Sequence, residues 1–394
     1  MAKPKLALIP AAQGTSLYSV LPSSGVGDFQ FNRSGSATSI NSQGLIETVA
    51  SGVSRLNYPM IDGVVKGCPH HILEPASTNL VLESNNFNNY FTKINSASVQ
   101  SNQVISPDGT LNADKIIRGS ADLSLRRNSQ VATGTEYTFS IYAKKGTASS
   151  IRLDIGDEGM TTFNLTDYWQ RFNVKATPTS YGHIDIEIPN ANQGDYIYVF
   201  GAMVEQNSFP TSYIPTTSAP VTRSAETATG SGDAVTFNDS EGVLMAEVSK
   251  DKGTQYSLIS LQKSSVSDTY AYIGYLNNNT TIRGQIKVGG TTVLDEEIEM
   301  SDTSIVAKIL IKYKSGDYSM WVNGFEVGSN TNSTIFSDGD LNEIEFGYNN
   351  NSSFRFYGKT KQLQYFDTTD IDLEQLTSWV SFTDMAEGQL YTIE

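Results

Sequence analysis

Residues 196–226 read Y-I-Y-V-F-G-A-M-V-E-Q-N-S-F-P-T-S-Y-I-P-T-T-S-A-P-V-T-R-S-A-E, and this stretch decides how the chain is divided. It begins as a buried strand, with Ile197, Val199, Ala202 and Val204 among β-branched and aromatic neighbours. It then turns into a proline-punctuated segment, with Pro210, Pro215 and Pro220 recurring among Ser and Thr and with Tyr213 and Ile214 as apolar anchors. Each proline removes a backbone donor and holds the preceding residue extended, so the segment is neither a helix nor a central strand. It is a stiff connector suited to lie along a surface, with one β-rich block ending at it and another beginning.

The 394 residues exceed what one core supports, so two or three domains are expected. Only 18% of residues are charged and Gly numbers 32, which with abundant Asn, Ser and Thr suits an all-β protein with many turns. The net charge of −15 speaks against nucleic acid, since no basic stripe is present to neutralise phosphates, and against an anionic membrane surface. No apolar stretch reaches transmembrane length, so no membrane insertion is expected, and the start M-A-K-P-K-L-A-L-I-P has too short an apolar run for a signal peptide. A single cysteine, Cys68, excludes an internal disulfide framework.

Residues 1–85 show only short apolar pieces, among them L-A-L-I, L-Y-S-V-L and H-I-L-E-P, with turns expected at Ser42-Gln43-Gly44 and Asp62-Gly63. So thin a core predicts packing on a neighbouring domain or subunit. In 86–225, Ser106-Pro107-Asp108-Gly109 is a turn, and Tyr137, Phe139, Ile141 and Ala143 alternate with Thr138, Ser140 and Tyr142. Ile151, Leu153 and Ile155 alternate likewise, as do Ile184, Ile186 and Ile188. In 226–394, strands are expected at 243–248, 256–261, 270–275, 282–288, 305–313, 318–324, 344–348 and 362–366, a spacing that predicts a second β-sandwich. A short helix follows, capped by Asp370 or Asp372, with Leu373, Leu376 and Val380 as its apolar stripe.

Several motifs carry a resemblance. F-N-R-S-G-S-A-T (31–38), N-S-Q-G-L-I-E (41–47), R-L-N-Y-P-M-I-D-G (55–63) and L-E-P-A-S-T-N-L (73–80) resemble the leader of a group of bacteriophage structural proteins. Y-T-F-S-I-Y-A-K-K-G (137–146), W-Q-R-F-N-V (169–174) and the G-A-x-x-E…P-T-S-Y-I-P-T ending resemble a jelly-roll module of phage virion proteins, itself similar to carbohydrate-binding jelly rolls. K-Y-K-S-G-D-Y-S-M-W-V-N-G-F-E-V-G resembles the central hairpin of concanavalin-like, laminin-G-type domains. One departure is Tyr90-Phe91-Thr92-Lys93, where the phage group carries Trp-Thr-Lys. The resemblance implies an all-β chain: an attachment and oligomerisation region at 1–85, a jelly roll at 86–225 and a laminin-G-like sandwich at 226–394.

Chemistry is sparse in the sequence. Cys68-Pro69-His70-His71 lacks the further ligands of a metal site, and a buried Cys beside two rim histidines is expected. No Gly-x-Ser-x-Gly elbow supports a catalytic triad. The acids at 295–299 are expected in a solvated loop rather than as a carboxylate pair across a cleft. A structural calcium is considered at Asp154, Asp157 and Glu158, or around Asp108 and Asp114, because jelly rolls and laminin-G-like domains often hold one; no other cofactor is expected. Candidate sugar platforms are Tyr168, Trp169 and Tyr181 in the jelly roll and Tyr270, Tyr272 and Tyr275 in the second sandwich, with the loop Tyr348, Asn349, Asn350 and Asn351. Core packing is expected for Trp169 and Trp321.

The expected role is a non-enzymatic phage fibre, spike or head-decoration protein, made in the host cytoplasm and exposed on the virion. Its partners would be other virion proteins through residues 1–85, copies of itself in a homo-oligomer with a trimer favoured, and host-surface glycans. A polysaccharide depolymerase with two acids in a sandwich cleft is the alternative, and a ligand-free cement protein a further one.

Overall fold

The computed structural model of the chain describes residues 3–10, 25–251, 253, 255–264 and 268–379. The expected piece L-Y-S-V-L and the stripe residue Val380 lie outside them. The chain is all-β: a jelly-roll sandwich followed by a concanavalin-like sandwich.

The jelly roll stacks two five-stranded antiparallel sheets. One orders Thr92–Lys93, Leu123–Arg127, Ile184–Glu187, Ser150–Ile155 and Thr161–Asn164; the other orders Ser98–Ile105, Leu111–Ile117, Tyr196–Glu205, Tyr137–Lys145 and Gln170–Ala176. The alternating isoleucines of 151–155 and 184–188 fill the space between them with Phe139, Ile141, Val199 and Val204. Tyr90 and Phe91 are both buried in this same core.

The second sheet of the jelly roll is covered on its other face as well. Thr138 and Ser140 are buried there because the proline segment folds back over them. Tyr213 and Ile214 pack with Ala113, Phe200 and Met203 into a small second core, against which Tyr142 and Trp169 rest. Trp169 also donates its indole N–H to the Ile105 carbonyl at 3.0 Å. The prolines thus keep the connector extended while its two apolar side chains anchor it to the sheet.

The C-terminal sandwich pairs an eight-stranded sheet with a five-stranded one. The larger is built on Glu241–Lys250, Ala307–Lys314 and Gly358–Phe366, and three strands from the first 85 residues complete it: Leu6–Leu8, Arg55–Asn57 and His70–Leu73. Leu6, Leu8 and Leu73 enter its core with Ile259, Ile273, Ile311 and Tyr365. The smaller sheet runs Thr291–Glu299, Thr281–Val288, Tyr270–Tyr275, Ser257–Gln262 and Glu343–Glu345. Thr291–Glu299 corrects the acidic-loop expectation. Val293, Leu294 and Ile298 pack on the core, while Asp295 and Glu297 pair with Arg283 on the outer face. Four acids hid a strand, two of whose charges share one arginine across the ladder.

The Asp62-Gly63 turn is formed as expected, with φ of 51° and 76°, the two positive values that a tight hairpin between Met60–Ile61 and Val64–Val65 requires. The closing helix is Leu373–Thr377, with the Asp372 side chain accepting from the Gln375 N–H. His70 and His71 are buried and Cys68 is exposed, the reverse of expectation. The strand His70–Leu73 sits inside the eight-stranded sheet, whereas Cys68 precedes it in an exposed stretch.

Where the three regions meet, the motif residues of the leader and of the connector form one buried charge network. Glu226 accepts from Arg33 Nη1 at 2.7 Å, Arg55 Nε at 2.8 Å, Arg55 Nη2 at 2.5 Å and the Glu74 N–H at 2.9 Å. Glu74 in turn accepts from Arg55 at 2.7 Å and from the Ser212 N–H and hydroxyl at 2.7 and 2.6 Å, and pairs with Arg223 at 2.9 Å. Burial alone would raise the Glu74 carboxyl, but Arg223, Arg55 and Ser212 together hold it below the ordinary carboxylate range. The P-T-S-Y, R-L-N-Y, L-E-P and T-R-S-A-E motifs are therefore parts of a single junction.

Candidate functional site

A cleft of about 450 Å³ opens beside this junction. One wall is a two-stranded ribbon, Gln30–Asn32 paired with Thr227–Thr229. Each strand of the ribbon is tethered by the residue next to it, because Arg33 and Glu226 are bonded in the network. The other wall is the end of the strand Glu343–Glu345 and the loop that follows it, contributing Tyr348, Asn350, Asn351 and Arg355. The Phe346 N–H donates to the Ala228 carbonyl at 2.8 Å and joins the walls at the base. His71 lies beneath, its ring 6.3 Å from Phe31 and 5.9 Å from Phe346. Burial, with help from Arg55, lowers its pKa to about 3, so the imidazole is neutral.

Glu345 is the chemical centre of the cleft. It is fully buried, its Oε1 accepts from the Asn350 N–H at 3.2 Å, and its Oε2 has no hydrogen-bond partner among the described residues. Burial pushes this carboxyl up to about 7, Glu343 adds to the rise, and the Asn350 N–H, the Gln262 side chain and Arg355 oppose it. Around it stand amides and hydroxyls of Gln30, Asn32, Thr227, Thr229, Asn350 and Asn351, one guanidinium and the rings of Phe31, Phe346 and Tyr348. Such a lining can exchange hydrogen bonds with a polyhydroxylated ligand and cover part of its apolar face. Glu345 is the one carboxylate of this lining, so a pair flanking a scissile bond is not supplied by it.

The loop is held open by its own sequence. Asn349 and Asn350 both adopt φ of 52°, a left-handed geometry that Asn tolerates, and the Asn349 N–H donates to Gln262 at 3.0 Å. The Asn351 side chain caps the short turn Ser352–Phe354.

The structure brings Tyr270, Tyr272 and Tyr348 together on the outer face of the five-stranded sheet. Tyr270 and Tyr272 stack at 5.4 Å, and Tyr348 meets Tyr270 edge-on at 4.7 Å. Tyr270 and Tyr272 are both buried beneath this cluster and so support Tyr348 rather than offering free faces. Tyr275 points the other way into the core and donates to the Val248 carbonyl. Tyr168 joins the jelly roll to the Asp62-Gly63 hairpin, its hydroxyl donating to Asp62 at 2.7 Å. Tyr181 is 62% exposed and stands beside His183, with ring centroids 6.1 Å apart.

The calcium candidates divide differently from expectation. Asp154 and Asp157 lie together, but Glu158 turns away to accept from the Thr179 N–H at 3.0 Å. His183 and Asp185 take its place, and the four ligand atoms lie within 4.8 Å of one another. Burial raises the Asp185 carboxyl although Arg126 pairs with it. Asp108 and Asp114 are occupied by protein donors: Asp108 by Ser106, Thr110 and Asn112, Asp114 by the Phe87 and Asn102 amides.

Sequence reading missed Glu345, Gln30, Asn32, Thr227, Thr229 and Arg355 as neighbours of Tyr348. The alternation of Ile344 with Glu345 signalled an outward acid, but nothing local signalled the ribbon that buries it.

No protein-family model matches the chain, and no curated protein matches it. Among solved structures, domains LG4-5 of the mouse laminin alpha1 chain are similar at 11% identity over 65% of this chain and 88% of theirs, with a TM-score of 0.26. The N-terminal CBM22-1–CBM22-2 tandem of Paenibacillus barcinonensis Xyn10C is similar at 8% identity over 75% and 99%, with a TM-score of 0.26. A native glycosidic hydrolase is similar at 10% identity over 70% and 98%, with a TM-score of 0.25. Overlap at this level assigns neither a family nor an activity.

Proposed function

We propose that the chain is a non-enzymatic adhesion subunit that binds glycans weakly in the Glu345–Tyr348 cleft, as part of a bacteriophage fibre, spike or decoration. The observation that carries the binding reading is a cleft lined by amides, hydroxyls, Arg355 and Tyr348 around one buried carboxyl with an unpartnered oxygen. Many copies on a particle convert a weak single site into firm adhesion. The phage assignment rests on the leader and jelly-roll motifs alone. Attachment is assigned to the turns of 1–85 and their jelly-roll neighbour, where Leu45, Ile61, Val64, Ile105 and Leu111 are exposed. The Ile46 N–H donates to the Pro107 carbonyl there, so two of these turns adjoin.

The test is a glycan array with the full chain, followed by saturation-transfer NMR on the hits. Asn32→Ala and Arg355→Ala are expected to weaken binding about tenfold each, the loss of one or two good hydrogen bonds. Absence of any glycan binding, with the chain present on purified particles, would favour the cement reading. Release of reducing sugar would favour the depolymerase.

A further inference from the structure

On the outer face of the first jelly-roll sheet, the ladder places Asp154 opposite Asp185 and Asp185 opposite Arg126. His183 lies one step before the strand Ile184–Glu187, and its Nε2 is the hub of the group. That nitrogen is 3.3 Å from Asp157 Oδ1, 3.6 Å from Asp185 Oδ2 and 3.7 Å from Asp154 Oδ2. Asp154 is fully buried, and its Oδ1 has no hydrogen-bond partner among the described residues. Its Oδ2 already accepts the Asp157 N–H at 2.9 Å.

These distances have a common explanation. A tetrahedral metal ion with bonds of about 2.1 Å holds its donor atoms about 3.4 Å apart, so the nitrogen-to-oxygen separations are those of one coordination shell. Arg126 Nη2 also approaches Nε2, at 3.3 Å. The charges point the same way. With the carboxylates ionised, three aspartates against the single guanidinium of Arg126 leave two uncompensated negative charges.

We propose that Asp154, Asp157, His183 and Asp185 bind one divalent transition-metal ion of the zinc type. The imidazole donor selects this class over calcium, which takes six to eight oxygens. Arg126 holds Asp185 through Nε and Nη2, at 2.8 and 2.5 Å, and so positions a ligand while the metal takes the Nε2 lone pair. The turns carrying the ligands already touch: the Gly156 N–H donates to the His183 carbonyl at 3.0 Å. A Cβ at Gly156 would stand 2.4 Å from the Tyr181 carbonyl. The ion would clamp these turns and hold the exposed Tyr181 in place.

The test uses the full chain, dialysed against chelator and titrated with Zn²⁺ alone by calorimetry, with thermal unfolding in parallel. One-to-one binding and a rise in Tm are expected, since a ligand of the native state alone stabilises it. The chain holds three histidines, so histidine-selective NMR reads the site in the wild type, and one imidazole is expected to shift. His183→Ala should weaken Zn²⁺ binding by at least about tenfold. No binding, or Zn²⁺ binding unchanged in His183→Ala, would overturn the site. So would Ca²⁺ binding preferred over Zn²⁺ by the wild type.

Discussion

Glu226 and Glu345 are both fully buried carboxylates, and they stand at opposite ends of what burial can mean. Glu226 takes two guanidinium groups and a backbone amide, and its neighbourhood ties the leader, the connector and the C-terminal sandwich together. Glu345 receives one long amide hydrogen bond and keeps an oxygen without a partner at the edge of a cleft. A charge that leaves water must be compensated or given up. The junction compensates it; the cleft lets the carboxyl take a proton near neutrality. A fully satisfied buried acid marks architecture, and an unsatisfied one marks a place where something else is expected to bind.

The comparison breaks first at the junction. Glu226→Gln leaves Arg33 without its anion and Arg55 with Glu74 alone, and a loss of about 3–5 kcal/mol in urea unfolding is expected. A loss below about 1 kcal/mol would mean that the network is dispensable to the fold.

Glu345 sharpens it through pH. Its folded value lies near 7, above the ordinary value of 4.5, so between these the native state holds a proton that the unfolded chain has released. The stability this contributes is present below the lower value and lost as pH rises through the upper one, at up to about 1.4 kcal/mol per pH unit. Glu345→Gln should remove this slope, read as the difference in Tm between about pH 5 and about pH 8. A slope unchanged in the variant would show that another group titrates there.

The smallest effect belongs to an exposed acid. Asp367 stands 3.9 Å from Lys5 with both side chains nearly half exposed, and Asp367→Asn should cost no more than about 0.5 kcal/mol. A larger loss would place surface pairs on the same footing as the buried network.

Period-two alternation made the sandwich strands legible, and the outward rows of Arg152, Asp154, Asp185 and Glu187 follow from the isoleucines between them. Which row met which did not follow, because register between strands distant in sequence is set by packing across the sheet. That is why Glu158 groups with Asp154 and Asp157 in the sequence, where His183 lies far from them. Thr291–Glu299 is hidden for a related reason: its acids read as a loop because Arg283, which pairs with Asp295 and Glu297, lies on another strand. Tyr348 and its Asn-rich loop are visible as an exposed turn, whereas the opposite wall of the cleft joins Gln30–Asn32 and Thr227–Thr229 from two other parts of the chain.

The ladder joining Leu6–Leu8 to Leu363, Gln364 and Tyr365 has a consequence for biosynthesis. During translation Leu6 and Leu8 are made well before Gly358–Phe366, the strand that shelters them. The jelly roll, whose own strands lie between 92 and 205, can settle on the ribosome while these leucines wait. Closure of so long a loop is slow, and until it happens a leucine-bearing edge stands open to chaperones and to neighbouring nascent chains. The C-terminal sandwich is thus finished by strands made well before it.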